Sequence, residues 1–143
     1  VFHSSIQDFE SEEKYDLIVS NPPFFENTHP GKTARNLARQ QSELSFEELL
    51  AHTKRLLNSE GKAAFIIPFV SENDFLNLSR KNSLFSEKIT HVKVNENSPV
   101  KRSLILLSEN ESDIVRNELV IEISRNLYTP EYIELTKDLY LKM

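Results

Sequence analysis

The sequence predicts an α/β layer fold, with parallel strands that end in an antiparallel hairpin. Three observations predict it. Two short segments, Tyr15–Ser20 and Ala63–Phe69, each contain an apolar run of the sort buried in parallel sheets. Between them lies a segment with helical spacing of its apolar residues. The order strand, helix, strand, helix, followed by consecutive strands, is that of βα units closing on a hairpin.

The elements follow in order. Val1-Phe2-His3 reads as the end of a strand, and Ser4 to Phe9 as the turn after it. Tyr15–Ser20 is the next strand, stopped by Pro22 and Pro23, which cannot donate to a ladder. Residues 24–44 form a long polar connection. Ser45 and Glu48 make a capping box, and Phe46, Leu49, Leu50, Thr53, Leu56 and Leu57 share one face of the helix it opens. Gly61 stands where a left-handed helix cap is expected, ahead of the strand Ala63–Phe69. Ser71 with Asp74 opens a helix over 72–82. Lys88–Val94 alternates as a strand, Pro99 precedes a further strand over Val100–Leu107, and Leu119–Ile123 is a short one. Thr129 as N-cap and Pro130 at the first helical position open a final helix. No internal repeat and no low-complexity tract interrupts the pattern.

Composition bounds the function. The 143 residues suit one domain, with 38% hydrophobic residues for a core and 27% charged residues for the surface. No apolar run approaches the ~20 residues that span a bilayer, and no basic-then-apolar signal segment opens the chain. Without cysteine there is no disulfide and no thiolate zinc site, which fits a cytoplasmic protein. The net charge of −5 argues against a nucleic-acid-binding surface over the whole molecule, but leaves room for a local basic patch. The only two glycines, Gly31 and Gly61, lie far apart, so the chain supplies no glycine-rich phosphate loop. His3, His29, His52 and His91 lack metal-ligand spacing, and no metal is expected.

The chemistry centres on Asn21-Pro22-Pro23-Phe24, at the end of a buried strand. Ligands of open α/β sheets bind beyond the carboxyl ends of the strands. The lone pair of an adenine exocyclic amine is delocalised into the ring. The Asn21 side-chain oxygen can accept one of its N–H groups and the Pro22 carbonyl the other. The lone pair is then freed and aimed at a sulfonium methyl, so positioning and fixed dipoles do the catalysis. The fixed φ of Pro22 and Pro23 holds the carbonyl direction, and Phe24 can stack on an extruded base. The alternative is a proline turn with two core phenylalanines.

Asp8-Phe9 is the candidate pair for a cofactor adenine, Asp8 accepting from its amine and Phe9 flanking the ring; the alternative is a surface turn with one buried Phe. Lys32, Arg35 and Arg39 form a basic stretch without an acidic residue between them, suited to phosphate contact or to a solvated loop. Lys101 and Arg102 beside Pro99 suit an RNA contact or, more simply, a solvated strand end.

These residues carry a resemblance. Ser5-Ile6-Gln7-Asp8-Phe9, Asp16 to Phe25, Ala38-Arg39, Leu44 to Leu50, the strand ending at Pro68, Lys101-Arg102 and the tail Leu135 to Met143 together resemble the bacterial tRNA adenine-N6 methyltransferases that modify the adenine next to the anticodon of a valine tRNA. The resemblance runs over nearly all of the chain. It implies a Rossmann-like methyltransferase sheet of which this is a part, S-adenosylmethionine as donor, and tRNA as partner. It also implies that the glycine-rich cofactor loop and the ribose-binding acid lie upstream of residue 1, so that residues 1–143 are the C-terminal part of a single methyltransferase domain. The Asn-Pro-Pro-aromatic element alone is shared with DNA adenine and protein glutamine methyltransferases. Those enzymes, and a noncatalytic RNA-binding or scaffold domain, stay open as alternatives.

Overall fold

A strand forms at Tyr15–Ser20 (β1), where β-branched Ile18 and Val19 favour extended backbone, but it is not covered on both faces as expected, since at the sheet edge Leu17 and Val19 are 60% and 72% exposed. The computed structural model describes residues 1–22 and 44–139. Pro23, Phe24, Lys32, Arg35, Arg39 and the tail Tyr140–Met143 lie outside the described residues.

The chain resumes at helix α1 (Phe46–Leu56), opened by the expected capping box. The Glu48 amide donates to Ser45 Oγ at 3.2 Å and the Ser45 amide to Glu48 Oε2 at 2.9 Å, satisfying two orphan N–H groups. Leu49, Leu50, Thr53 and Leu56 are buried, and the Thr53 hydroxyl donates to the Leu49 carbonyl at 2.8 Å. Strand β2 (Leu57–Pro68) follows without a loop, then a 3-10 turn (Phe69–Ser71) and helix α2 (Glu72–Lys81). Strands β3 (Phe85–Lys93), β4 (Arg102–Ser108) and β5 (Val115–Val120) complete the main sheet. A small ribbon, β6 (Glu122–Ser124) with β7 (Leu127–Tyr128), precedes helix α3 (Pro130–Thr136), where Thr129 caps the Tyr132 amide as expected.

The sheet order is β1-β2-β4-β3-β5. β1 and β2 are parallel, β4 runs antiparallel between β2 and β3, and β5 is parallel to β3. The α/β fold with an antiparallel hairpin is as expected, and β5 adds an outer parallel strand. One face of the sheet carries Ala63, Phe65, Ile67, Ile89, Ile105 and Leu107 against Leu49 and Leu50 of α1 and Phe75 of α2. Phe75, fully buried, meets Phe46 and Phe65 edge-on at 5.0 and 5.2 Å, a favoured aromatic geometry. The opposite face, with Val19, Ala64, Ile66, Leu104 and Leu106, lines an apolar hollow of about 400 Å³.

Four local expectations are corrected. Val1–His3 is not a strand: no described strand pairs with it, and Phe2 is 81% exposed. Gly61 is not a left-handed cap. α1 ends at Leu57 in extended backbone, and no glycine has positive φ. Instead β2 bulges between its pairings Tyr15↔Leu57 and Leu17↔Lys62, and Gly61 passes so close to β1 that a Cβ would stand 2.7 Å from the Tyr15 carbonyl oxygen. Ser71 makes no side-chain cap, because the 3-10 turn leads the chain directly into α2. The run Leu119–Ile123 is divided between β5 and β6, as Ile121 and Glu122 donate to the Lys93 and Val94 carbonyls.

Candidate active site at the carboxyl end of the sheet

Parallel pairing decides where the site residues go. β1 and β2 leave the sheet at the same end, so Asn21-Pro22 emerges beside the end of β2, one residue beyond the pair Ser20↔Phe65. Asn21 is exposed and Pro22 buried. An amide side chain open to solvent thus stands on a backbone whose next residue is pinned by burial and by its ring. Asn21 can donate and accept, and its oxygen and the Pro22 carbonyl are the two acceptors that a planar amino group needs.

Asp8 and Phe9 go elsewhere. Ser5 Oγ donates to Asp8 Oδ2 at 2.7 Å and receives the Asp8 amide at 3.2 Å, closing a turn in which Asp8 is exposed. The Phe9 ring lies 5.8 Å from Phe2 and 6.4 Å from Tyr15, and its carbonyl accepts from Arg55 Nη2 at 2.6 Å. Tyr15 begins β1 and Arg55 ends α1, so this pair sits at the amino end of the sheet. A six-residue strand, rising ~3.3 Å per residue, puts about 16 Å between its ends. The structure therefore does not bring Asp8 and Phe9 to Asn21. Asp8 and Phe9 thus lie apart from Asn21, with Asp8 exposed and one of its oxygens bound by Ser5.

The carboxyl end holds a second constellation that sequence spacing did not reveal. Glu72, in the first turn of α2, has a side chain only 9% exposed. Its Oε2 accepts from Ser103 Oγ at 2.5 Å and lies 2.8 Å from His91 Nε2, while Oε1 lies 3.7 Å from Arg116 Nη1. One carboxylate thereby ties α2 to β3, β4 and β5. The His91 ring meets Phe69 edge-on at 5.1 Å, and the Phe69 amide donates to the Lys101 carbonyl at 3.2 Å. His91, given no role from spacing, is part of this cluster. Glu72 is separated from His91 by 19 residues and from Ser103 by 31, so no local motif announces the cluster.

Two carboxyls are held below the usual range. Glu48 is lowered by hydrogen bonds from the Ser45 amide and hydroxyl, and Glu87 by its bond with Lys62 across the sheet. Among the described residues no cluster of three or more His, Cys, Asp or Glu side chains could hold a metal, and no helix is long and apolar enough to cross a membrane.

No family model matches the chain. A protein of Flavobacterium johnsoniae named tRNA1(Val) (adenine(37)-N6)-methyltransferase is 49% identical over 146 residues, covering 99% of this chain and 62% of its own length. A protein of the same name from Christiangramia forsetii is 44% identical over 143 residues, covering 99% and 60%. The chain thus spans about three fifths of the length of the curated relatives it matches. Among solved structures, a predicted O-methyltransferase from Agrobacterium tumefaciens aligns with TM-score 0.67 at 15% identity, over 94% of this chain and 60% of that one. A type I restriction-modification methyltransferase subunit from Streptococcus thermophilus aligns with TM-score 0.57 at 15% identity, over 94% and 34%. At such identities the likeness shows the fold alone, and it is a methyltransferase fold. Over the part of them that it spans, the chain is a homologue of the proteins named tRNA1(Val) (adenine(37)-N6)-methyltransferase.

Proposed function

We propose that the whole protein transfers a methyl group from S-adenosylmethionine to the exocyclic N6 amine of an adenine in tRNA, and that this stretch of it holds the acceptor. The observation that carries the proposal is Asn21-Pro22 at the carboxyl end of β1, with an exposed amide beside a buried proline. The names of the relatives supply the substrate, an adenine of a valine tRNA. Residues 1–143 are taken as part of one methyltransferase domain, working in the cytoplasm where tRNA is found.

Asn21 Oδ1 accepts one N–H of the adenine amine and the Pro22 carbonyl accepts the other. The nitrogen lone pair leaves conjugation with the ring and points away from both acceptors. The donor, when bound, would supply an electrophilic sulfonium methyl and leave as the neutral thioether, and the methylated nitrogen would lose one proton to water by way of the acceptors at Asn21 and Pro22. No side-chain base with a shifted pKa and no metal is called for, because fixed acceptors lower the barrier. Pro23 would stiffen the turn and Phe24 would stack on the base, while Lys32, Arg35 and Arg39 would meet tRNA phosphates; these are assignments from sequence.

The test is Asn21→Ala in the whole protein, assayed for methyl transfer to tRNA, to DNA and to a release factor. Turnover on tRNA is expected to fall by roughly 10² or more, the scale for loss of one preorganised polar group, while tRNA still binds. Undiminished turnover would remove Asn21 from the mechanism. Methylation of DNA or release factor in place of tRNA would move the protein to a neighbouring branch.

A further inference from the structure

We infer that Phe69 is a stacking platform for an unpaired nucleobase next to the one being methylated, with Lys101 beside it for the phosphate of that nucleotide. The inference rests on the acceptor role proposed for Asn21.

Four observations carry it. Phe69 and Val70 are large apolar residues in the turn beyond β2, yet they stand 39% and 82% exposed, at the same end of the sheet as Asn21. Second, the Phe69 ring is not loose. It packs edge-on against His91, which Glu72 holds through Nε2, and the Phe69 backbone is bound to Lys101. A fixed aromatic ring with an open surface is what a base needs for stacking, and a T-shaped contact with His91 takes up at most one of its two faces. Third, the neighbourhood is basic, since Lys101 and Arg102 are exposed beside the turn. An anionic strand with π-faces matches that pairing of charge and aromatic surface better than an apolar protein segment does. Fourth, the spacing suits a neighbour and not the target itself. Asn21 lies one residue past the pair Ser20↔Phe65, and Phe69 lies four past it. Beyond β2 the chain enters the 3-10 turn and the Phe69 ring packs on His91 of β3, whereas Asn21 lines the hollow with Val19, Ala64 and Ile66, so the ring stands apart from the target amine. The target base is held by Asn21 and Pro22, so Phe69 meets the next nucleotide.

The experiment uses the whole protein and a tRNA carrying 2-aminopurine at either nucleotide flanking the target adenine. In the parent protein, stacking on Phe69 quenches the fluorescence at one flank. In Phe69→Ala that quench is lost and the KM for tRNA rises roughly 5- to 150-fold, the range for removal of one stacking ring, with a much smaller change in kcat. Phe69→Tyr keeps both the quench and the KM. Phe69→Leu fills the space against His91 without an aromatic face, so it stands in if the alanine variant fails to fold, and it loses the quench as well. Parent-like KM and quench in Phe69→Leu or in Phe69→Ala overturn the inference. Asn21→Ala, run alongside, separates the two proposals. If it abolishes transfer while Phe69 variants behave as the parent, only the platform fails. If Asn21→Ala turns over normally, the acceptor reading fails, and the quench at a flanking base still decides whether Phe69 stacks on RNA.

Discussion

Removing the Glu72 carboxylate is expected to cost about 3 kcal/mol of folding stability. Ser103 is fully buried, and its hydroxyl donates to Glu72 Oε2 at 2.5 Å. A hydrogen bond to a charged group is worth ~1.5–3 kcal/mol net, and a buried donor left without a partner costs ~1–3 kcal/mol, two figures that overlap and do not simply add. Loss of the His91 contact brings the sum to the upper part of that range. Arg116, 54% exposed and 3.7 Å away, adds little, as exposed ion pairs do. Urea unfolding of the whole protein should show Glu72→Ala with a lowered midpoint and an unchanged slope. The sharper readout is the double variant Glu72→Ala/Ser103→Ala. Deleting the hydroxyl along with its acceptor removes the unsatisfied group, so the double variant should recover about 1 kcal/mol relative to Glu72→Ala. A Glu72→Ala loss below about 0.5 kcal/mol, or a double variant no better than the single one, would refute the account of this cluster.

Gly61→Ala should destabilise by ~1–3 kcal/mol in the same urea assay, because the added Cβ meets the Tyr15 carbonyl oxygen at 2.7 Å and backbone must move; a neutral result would show that the β2 bulge is soft. Ser45→Ala should cost about 1 kcal/mol by removing the cap on the Glu48 amide, checked by thermal unfolding. The Glu48 carboxyl is depressed by the Ser45 amide, so its stabilisation is present above the usual carboxylate range and is lost as pH falls through its own lowered pKa. Glu48→Gln should therefore be less stable than the parent at neutral pH and should converge with it in acid; parallel curves would assign Glu48 no electrostatic part.

Elements announced by local chemistry were legible. The bounds of β1 follow from an apolar run closed by two prolines, and α1 and α3 from caps whose partners are three residues away. The placement of Asn21-Pro22 just beyond β1 was legible for the same reason. Gly61 was misread because the same residue type serves a left-handed cap and a tight crossing, and which one applies depends on the long-range pairing with Tyr15. Asp8 and Phe9 were read as a cofactor-adenine pair from motif context alone, and their positions depend on contacts with Ser5, Tyr15 and Arg55 that the motif does not encode. The Glu72 cluster joins a helix to three strands, and no spacing in the sequence encodes it.

The place of β4 bears on how the chain assembles during synthesis. β4 lies between β2 and β3, yet it emerges after both. Until residue 108 is available, β2 and β3 each present an unpaired edge, and edges of that kind recruit other strands. The β3–β4 hairpin is the local step, since its strands are consecutive, and inserting its β4 edge against β2 closes the longer loop and fixes the sheet. The two ends of the molecule therefore become one sheet in a single late event. A chain stopped short of Arg102 could still pair β1 with β2 but would have no central strand to join that pair to β3.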